Sequence, residues 1–191
     1  MVYIDDHIWD FDLETALLEL SAERREQALR YRHELGRRQC TLAYLMLKRA
    51  LHEEYGITGN LRFNYGEHGK PLLAGYPDIH FSLSHCREAV ACVVSDRPVG
   101  IDVESIGRYR EPLAAYTMSE TERAAIAAAP SPEAAFTRLW TMKEALLKCS
   151  GQGIVDGLKT VLEGVDESLF TTVVDPSERY IYTVFPAVFA Y

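Results

Sequence analysis

Apolar residues recur at helical spacing in two long segments of the chain, and a glycine follows each segment. From about Arg37 to Tyr55 the apolar positions share one face, which predicts an amphipathic helix that ends at Gly56. A second helix is predicted from the sequence Ser131-Pro132-Glu133, where serine caps the helix and proline occupies its first position. This helix should end at Gly151.

Serines also mark two further helix starts. Ser21 is suited to cap a helix that begins at Ala22. Ser119 stands three residues before Glu122, which is the spacing of a capping box. The preceding segment, Ser105–Tyr116, is expected to be a loop.

Alternating and continuous apolar runs predict strands in the middle and at the end of the chain. Ile79–Ser84 alternates as a half-buried strand does, and Ala89–Ser95 is more continuously apolar. The turn Asp96–Pro98 then leads into a strand from Val99, so these two strands are expected to form a hairpin. Tyr180–Phe185 is a further β-like run.

Two short stretches carry candidate chemistry. In the strand from Val99, side-chain alternation places Asp102 and Glu104 on one face and the apolar residues on the other. In the helix before Gly151, Trp140, Glu144 and Lys148 recur every four residues and share a face. If the two faces meet, three carboxylates and a lysine converge, which suits Mg²⁺ and phosphate chemistry.

Each of these features also has a plainer interpretation. Glu144 and Lys148 have the spacing of an ordinary surface ion pair on a helix. Asp102 and Glu104 fit the solvent face of an edge strand equally well. Taken one at a time, these structural interpretations are favoured, so a functional assignment needs more than spacing.

Composition restricts the classes of protein to consider. The 191 residues are 48% hydrophobic, enough for one domain or two small ones, and the net charge of −8 argues against broad nucleic-acid binding. The four cysteines form no Cys-x-x-Cys pair, so we expect free thiols in a reducing compartment. With no signal peptide and no membrane-spanning apolar run visible, a cytoplasmic protein without membrane association is expected.

The order of four motifs favours a functional interpretation of these residues over the structural one. The motifs are the Gly69-Lys70-Pro71 turn, a strand ending in Ser84-His85, the run Gly100-Ile101-Asp102-Val103-Glu104, and the pattern Trp140-x-x-Lys143-Glu144-x-x-x-Lys148-x-x-Gly151. Over about residues 37–154 this order resembles the 4′-phosphopantetheinyl transferases of the surfactin-synthetase-activating (Sfp) type. The last two motifs are specific in combination.

The resemblance implies a fold and a reaction. The implied fold is α+β, with two similar halves, each a helix packed on a small antiparallel sheet, and the active site between them. We place the halves at about residues 1–98 and 99–191 of a monomer. The implied reaction moves phosphopantetheine from coenzyme A to a serine of an acyl or peptidyl carrier protein, needs Mg²⁺ and releases adenosine 3′,5′-bisphosphate.

The resemblance also implies roles for individual residues. Asp102, Glu104 and Glu144 correspond to the metal-binding carboxylates, and Glu144 is also the best candidate for the base. Lys148 corresponds to the lysine that contacts the pyrophosphate. The coenzyme A contacts implied are Lys70, Ser84 and His85, together with Arg38 and Lys143; Arg37 is the alternative to Arg38 at the 3′-phosphate. The chain departs from the family pattern at Ser82, where asparagine is common, and at Met118, where an aromatic residue is common.

Other functions stay open at this point. The chain could be a catalytically silent module that binds a carrier protein or a nucleotide, although retention of the carboxylates and Lys148 argues against it. A different Mg²⁺-dependent phosphotransferase is a third option, but the chain has no P-loop spacing. For an acidic carrier, the predicted docking segment begins at Arg108 and Arg110 and continues through Leu113, Tyr116 and Met118. An equally favoured interpretation is that the arginines are solvated loop charges and the apolar residues pack beneath them.

Overall fold

A computed structural model describes residues 1–153 and 157–186 of the protein. Residues 154–156 and 187–191, which belong to the predicted C-terminal half, lie outside the described residues. The helices and strands are β1 (Val2–Asp5), α1 (Leu13–Leu18), α2 (Ala22–Leu29), α3 (Glu34–Tyr55), β2 (Phe63–Tyr65), β3 (Pro71–Leu73), β4 (His80–His85), β5 (Val90–Ser95), β6 (Gly100–Ser105), α4 (Glu111–Thr117), α5 (Glu120–Ala128), α6 (Pro132–Ser150), β7 (Thr171–Val174) and β8 (Tyr180–Phe185).

The strands form small antiparallel sheets. The first sheet has the order β1-β5-β4 and packs against α3, and the second has the order β6-β8-β7 and packs against α6. Strands β2 and β3 form a separate hairpin. The predicted α+β class is therefore confirmed, whereas the similarity of the two halves and their boundary stay predictions.

The predicted helix ends are confirmed in detail. The Ser21 hydroxyl accepts a hydrogen bond from the backbone of Arg24, and Ser131 caps α6 in the same way. Ser119 and Glu122 form both bonds of a capping box at the start of α5. Gly56 and Gly151 end α3 and α6 with φ of 66° and 74°, in the left-handed region that favours glycine.

Strand β5 is buried on both faces, which explains its continuous apolar run. Its residues Val90, Cys92 and Val94 face a core that includes Leu47 and Leu51 of α3. Its alternate residues, Ala91 and Val93, face a second core with Ile101 and Val103 of β6. The clean alternation of β6 follows from the same packing, because only one of its faces contacts this second core.

Two expectations from the sequence were wrong. Strand β6 does not form a hairpin with β5; it pairs with β8, with Ile101 opposite Val184. The turn at residues 96–98 instead carries the chain from one sheet to the other, since both edges of β5 are already paired, one with β1 and the other with β4. The segment predicted to be a loop contains α4, which has Pro112 in its first turn and buries Ala114 beside Phe136.

The cysteines carry the free thiols that the sequence predicts. All four cysteines are free thiols, with Cys86 and Cys92 buried and Cys40 and Cys149 partly buried. Within residues 1–153 and 157–186, no helix combines the length and the apolar character needed to cross a membrane.

Gly100 sets the distance between β6 and α6. A Cβ atom built on Gly100 would lie 1.9 Å from the carbonyl oxygen of Ala145 and 2.6 Å from the backbone nitrogen of Cys149. Both are backbone atoms of the helix, so no side-chain rotation could relieve the overlap. The helix backbone can approach the strand this closely only because residue 100 has no side chain.

We expect Gly100→Ala to lower the free energy of unfolding by about 2 kcal/mol or more, because α6 must move away from β6 to admit a methyl group. Gly66→Ala is the matched control, since a Cβ there meets only the Lys70 carbonyl oxygen at 3.7 Å. Urea denaturation of both variants measures the difference. Equal stability of the two variants would show that the helix is not held at this distance.

Candidate active site

The packing of α6 on β6 brings Asp102, Lys148 and Ser84 together. The Lys148 ammonium donates to Asp102 Oδ1 at 2.6 Å and to the Ser84 hydroxyl at 2.9 Å. The Ser84 hydroxyl in turn donates to Asp102 Oδ1 at 2.7 Å. Three elements, β4, β6 and α6, thus meet at one charged triangle whose carboxylate is nearly buried.

Glu104 lies one pleat further along β6, and the loop that follows the strand supplies its partner. The Arg108 guanidinium forms an ion pair with the Glu104 carboxylate and lies 5.7 Å from the centre of the Trp140 ring. The sequence placed Arg108 in the predicted docking segment and did not predict this ion pair. The feature of the sequence that could have indicated the pair is the spacing of four residues between Glu104 and Arg108.

Glu144 is the carboxylate of the site for which residues 1–153 and 157–186 supply no partner. Its Oε1 atom is buried and accepts no hydrogen bond from these residues. Burial, followed by the negative charge of Asp102, raises the pKa of Glu144 above its ordinary value. A buried carboxylate oxygen without a donor is costly, so this position favours an incoming proton or cation.

His85 and Lys70 line the approach to these residues. Burial and the nearby charge of Lys148 lower the pKa of His85, so its imidazole is neutral at physiological pH. Burial also lowers the pKa of Lys70, whose ammonium donates to the Cys149 carbonyl at 2.8 Å. Lys70 therefore joins the turn before β3 to the last turn of α6.

Two adjacent cavities contain most of the predicted site. The first cavity, of about 270 Å³, is lined by Lys70, Pro71, Phe81 and Leu147 among others. The second cavity, of about 360 Å³, is lined by six of the predicted residues: Ser84, His85, Asp102, Glu104, Glu144 and Lys148. Leu83, Glu144 and Lys148 border both cavities, so a ligand in one can reach the other along this shared wall.

Two of the predicted coenzyme A contacts do not belong to this cluster. Neither cavity is lined by Arg38, whose guanidinium donates to Glu34 and to the Phe11 carbonyl and lies 5.0 Å from the Trp9 ring. Arg38 thus attaches the loop after β1 to α3.

Lys143 is fully buried, and the structure corrects its predicted role as a cofactor contact. Its ammonium donates to Glu122 at 2.8 Å and to the carbonyls of Leu158 and Thr117 at 2.6 and 3.2 Å. These bonds use all three donors of the ammonium group. Lys143 immediately precedes Glu144 on α6, so its side chain lies on a different side of the helix. It lies in the contact between α6 and α5 and not in the cavities.

The residues fit a magnesium ion, although they do not form a ready-made cage for it. Among residues 1–153 and 157–186, no three acidic, histidine or cysteine side chains are arranged to hold a metal ion together. Asp102 and Glu104 are instead paired with Lys148 and Arg108. The unpartnered Glu144 oxygen and the all-carboxylate donor set nevertheless match Mg²⁺, which commonly takes one or two carboxylates and completes its shell with phosphate and water.

Comparison with known proteins gives consistent matches. The family model described as the 4′-phosphopantetheinyl transferase superfamily matches residues 98–183. The 4′-phosphopantetheinyl transferase of Bacillus subtilis is 29% identical over 156 residues, which are 80% of this chain and 70% of that protein. The 4′-phosphopantetheinyl transferase psf-1 of Bacillus pumilus is 34% identical over 151 residues, 78% of this chain and 65% of that protein.

A shorter match has higher identity. The 4′-phosphopantetheinyl transferase AcpT of Salmonella typhi is 42% identical over 94 residues, 46% of this chain and 48% of that protein. The matched residues span about two thirds of the Bacillus relatives and about half of AcpT. These matches show that the chain is similar to the 4′-phosphopantetheinyl transferase superfamily, and both the resemblance to Sfp-type members and the prediction of a transferase enzyme are confirmed.

We expect Lys143→Met to lower the free energy of unfolding by about 3–5 kcal/mol, because the Glu122 carboxylate loses the buried cation with which it is paired. Arg138→Met, which removes an exposed pair with Glu167 from the same helix, should cost about 1 kcal/mol or less. Chemical denaturation compares the two variants. A Lys143→Met protein of wild-type stability that has lost affinity for coenzyme A would restore the original assignment.

Glu144→Gln should stabilise the metal-free protein at pH 7. The folded-state pKa of Glu144 lies above its unfolded value, so ionisation of this carboxyl costs stability as the pH rises through the folded pKa. Glutamine removes that cost, and the difference from wild type should vanish below about pH 4, where the unfolded carboxyl is also protonated. Denaturation in EDTA across this range measures the effect, with the exposed Glu163→Gln as control. A less stable Glu144→Gln protein at pH 7 would contradict it.

Proposed function

We propose that this protein transfers the 4′-phosphopantetheine group from coenzyme A to a serine of an acyl or peptidyl carrier protein in a Mg²⁺-dependent reaction. The observation that carries the proposal is the shared wall of the two cavities, which contains the Lys148 cation and Glu144, with Asp102 bonded to Lys148 on the side of the second cavity. This wall combines charge for a pyrophosphate with an oxygen that can accept a proton.

The first part of the proposal concerns coenzyme A. Its pyrophosphate would lie at Lys148, the cation that borders both cavities. The rest of the molecule would extend past Lys70 into the first cavity, whose walls include the apolar side chains of Phe81 and Leu147. His85, neutral and close to Lys148, would donate or accept a hydrogen bond at a phosphate without adding charge.

The second part concerns the metal. Asp102, Glu104 and Glu144 would hold the Mg²⁺ ion, as the resemblance implies. When bound, Mg²⁺ supplies positive charge that neutralises the pyrophosphate and the developing charge of its leaving group. Glu104 must then exchange part of its ion pair with Arg108 for the metal, because both cations need the same carboxylate.

The third part concerns the proton of the carrier serine. The serine oxygen would form a bond to the phosphorus that carries the pantetheine, and the bond from that phosphorus to adenosine 3′,5′-bisphosphate would break. Glu144 is the proposed acceptor of the serine proton, because its raised pKa brings its basicity closer to neutral pH. Its buried Oε1 atom accepts no hydrogen bond from the residues that the structure describes.

The carrier would approach along the loop and helix that follow β6. Arg110 donates to the backbone carbonyls of Gly107 and Tyr109, and the nearby Tyr116 is 72% exposed. An exposed arginine and an exposed aromatic side chain are the residue types that interfaces favour. The buried Met118, in contrast, packs in a small core with Phe136, so it supports this surface from beneath.

A silent binding module is the alternative, and one experiment separates the two functions. Purified protein is incubated with coenzyme A, Mg²⁺ and several apo-carriers, and the carriers are examined by mass spectrometry for the phosphopantetheine addition. We expect the addition on at least one carrier. Binding of coenzyme A by calorimetry without any addition would instead establish the silent module.

Asp102→Asn should reduce the transfer rate by about 100-fold or more while the fold persists, because the amide keeps the shape of the carboxylate and removes its charge. Arg97→Gln is the control, since the Arg97 side chain is exposed and lies in the turn between the two sheets. The rate of mass addition at saturating coenzyme A measures both variants. Wild-type turnover by Asp102→Asn would exclude Asp102 from the metal site.

A further inference from the structure

The free edge of β6 is attached to β4 by serine hydroxyls. The backbone N–H of Ile101 donates to the Ser82 hydroxyl at 3.1 Å, and that of Val103 donates to the Ser84 hydroxyl at 3.2 Å. Edge strands ordinarily leave such groups to water or to another strand. Here two side chains on one face of β4 take the place of a strand and connect the first sheet to the second.

The two serine hydroxyls form the same kind of bond with the backbone of β6, but only Ser84 also bonds with charged side chains of the described residues. Both are nearly buried, and each accepts one N–H from β6. Ser84 also accepts from Lys148 and donates to Asp102. A hydroxyl has one proton and two lone pairs, so the three bonds of Ser84 use its whole capacity.

From this we infer that Ser84 is a positioning residue for Asp102 and Lys148 and not a contact of coenzyme A. The inference rests on the proposed function for its kinetic consequences. The single proton of Ser84 points to Asp102 Oδ1, and this leaves the lone pairs for Val103 and Lys148. Because both Ser84 and Lys148 donate to Oδ1, the plane of the carboxylate is fixed and Oδ2 is the oxygen that neither bond uses.

Loss of the Ser84 hydroxyl would therefore disturb the orientation of the site and leave its charges in place. Asp102 would keep only the bond from Lys148, about which its carboxylate can rotate, and Lys148 would lose its second acceptor. Residues that orient a metal-binding carboxylate in this way affect turnover strongly even though they touch no substrate. Binding of coenzyme A, which depends on other groups, should change little.

The experiment compares Ser84→Ala, Ser82→Ala and Ser84→Thr. Ser82→Ala is the matched control, because it removes the same kind of backbone bond without touching the charged pair. Ser82 borders the first cavity, so Ser82→Ala controls for stability and for the Asp102 resonance, and the kinetic comparison is between Ser84→Ala and Ser84→Thr. Ser84→Thr restores the hydroxyl with a residue that strands favour.

We expect Ser84→Ala to lower kcat by roughly 10- to 100-fold, with KM for coenzyme A within about threefold of wild type. Ser82→Ala should lower the thermal midpoint about as much as Ser84→Ala does, and Ser84→Thr should recover most of the lost kcat. A higher KM for coenzyme A with kcat preserved would make Ser84 a coenzyme A contact. A kcat of Ser84→Ala within about threefold of wild type, with the thermal midpoint lowered, would reduce Ser84 to a structural role.

A second measurement keeps the inference separate from the proposed function. The carboxyl carbon resonance of Asp102, followed by NMR in the protein without substrates, should shift in Ser84→Ala and stay in place in Ser82→Ala. If the wild-type protein transfers no phosphopantetheine, the proposed function fails, and this resonance still decides whether Ser84 orients Asp102. An unchanged resonance in Ser84→Ala would overturn the inference whatever the activity.

Discussion

The contact of α6 with β6 at Gly100 is the constraint on which the site depends. Asp102 and Glu104 are on the same face of β6 as Gly100, and Glu144 and Lys148 flank Ala145 on α6. The 2.6 Å bond between Lys148 and Asp102 exists only because the two backbones approach at the glycine. The ends of α6, fixed by Ser131 and Gly151, determine which of its side chains reach the strand.

The charges of the site are arranged so that they are only partly satisfied. Lys148 and Arg108 neutralise Asp102 and Glu104, whereas no cation of the described part of the chain forms an ion pair with Glu144. A site in which every carboxylate had a protein partner would have little affinity for further positive charge. The unsatisfied Glu144 therefore costs stability in the free protein and provides the capacity to bind a proton or a metal.

The sequence allowed much of the local structure to be predicted, because local rules determine it. Ser21, Ser119, Ser131, Gly56 and Gly151 mark helix ends through bonds made within a few residues, and each was predicted correctly. Alternation on β6 separated Asp102 and Glu104 from the core for the same reason. Six of the site residues that the order of motifs indicated line one cavity.

What the sequence did not reveal depends on contacts between distant segments. The pairing of β6 with β8 instead of β5 follows from the pairing of both edges of β5 with β1 and β4, which only the assembled sheet shows. Lys143 was misassigned because a motif position does not tell whether a lysine faces a cavity or a buried glutamate. Nothing local in the sequence identified the edge of β6 as the partner of the Ser82 and Ser84 hydroxyls.

The two-sided burial of β5 has a consequence for folding cooperativity. Val90, Cys92 and Val94 belong to one core while Ala91 and Val93 belong to the other, so neither core is complete without the same strand. Separation of the first sheet from the second would expose one face of β5 to water along its whole length. The two cores are therefore thermodynamically coupled through a single strand. If one core unfolds, the other loses the apolar surface of β5 against which it packs.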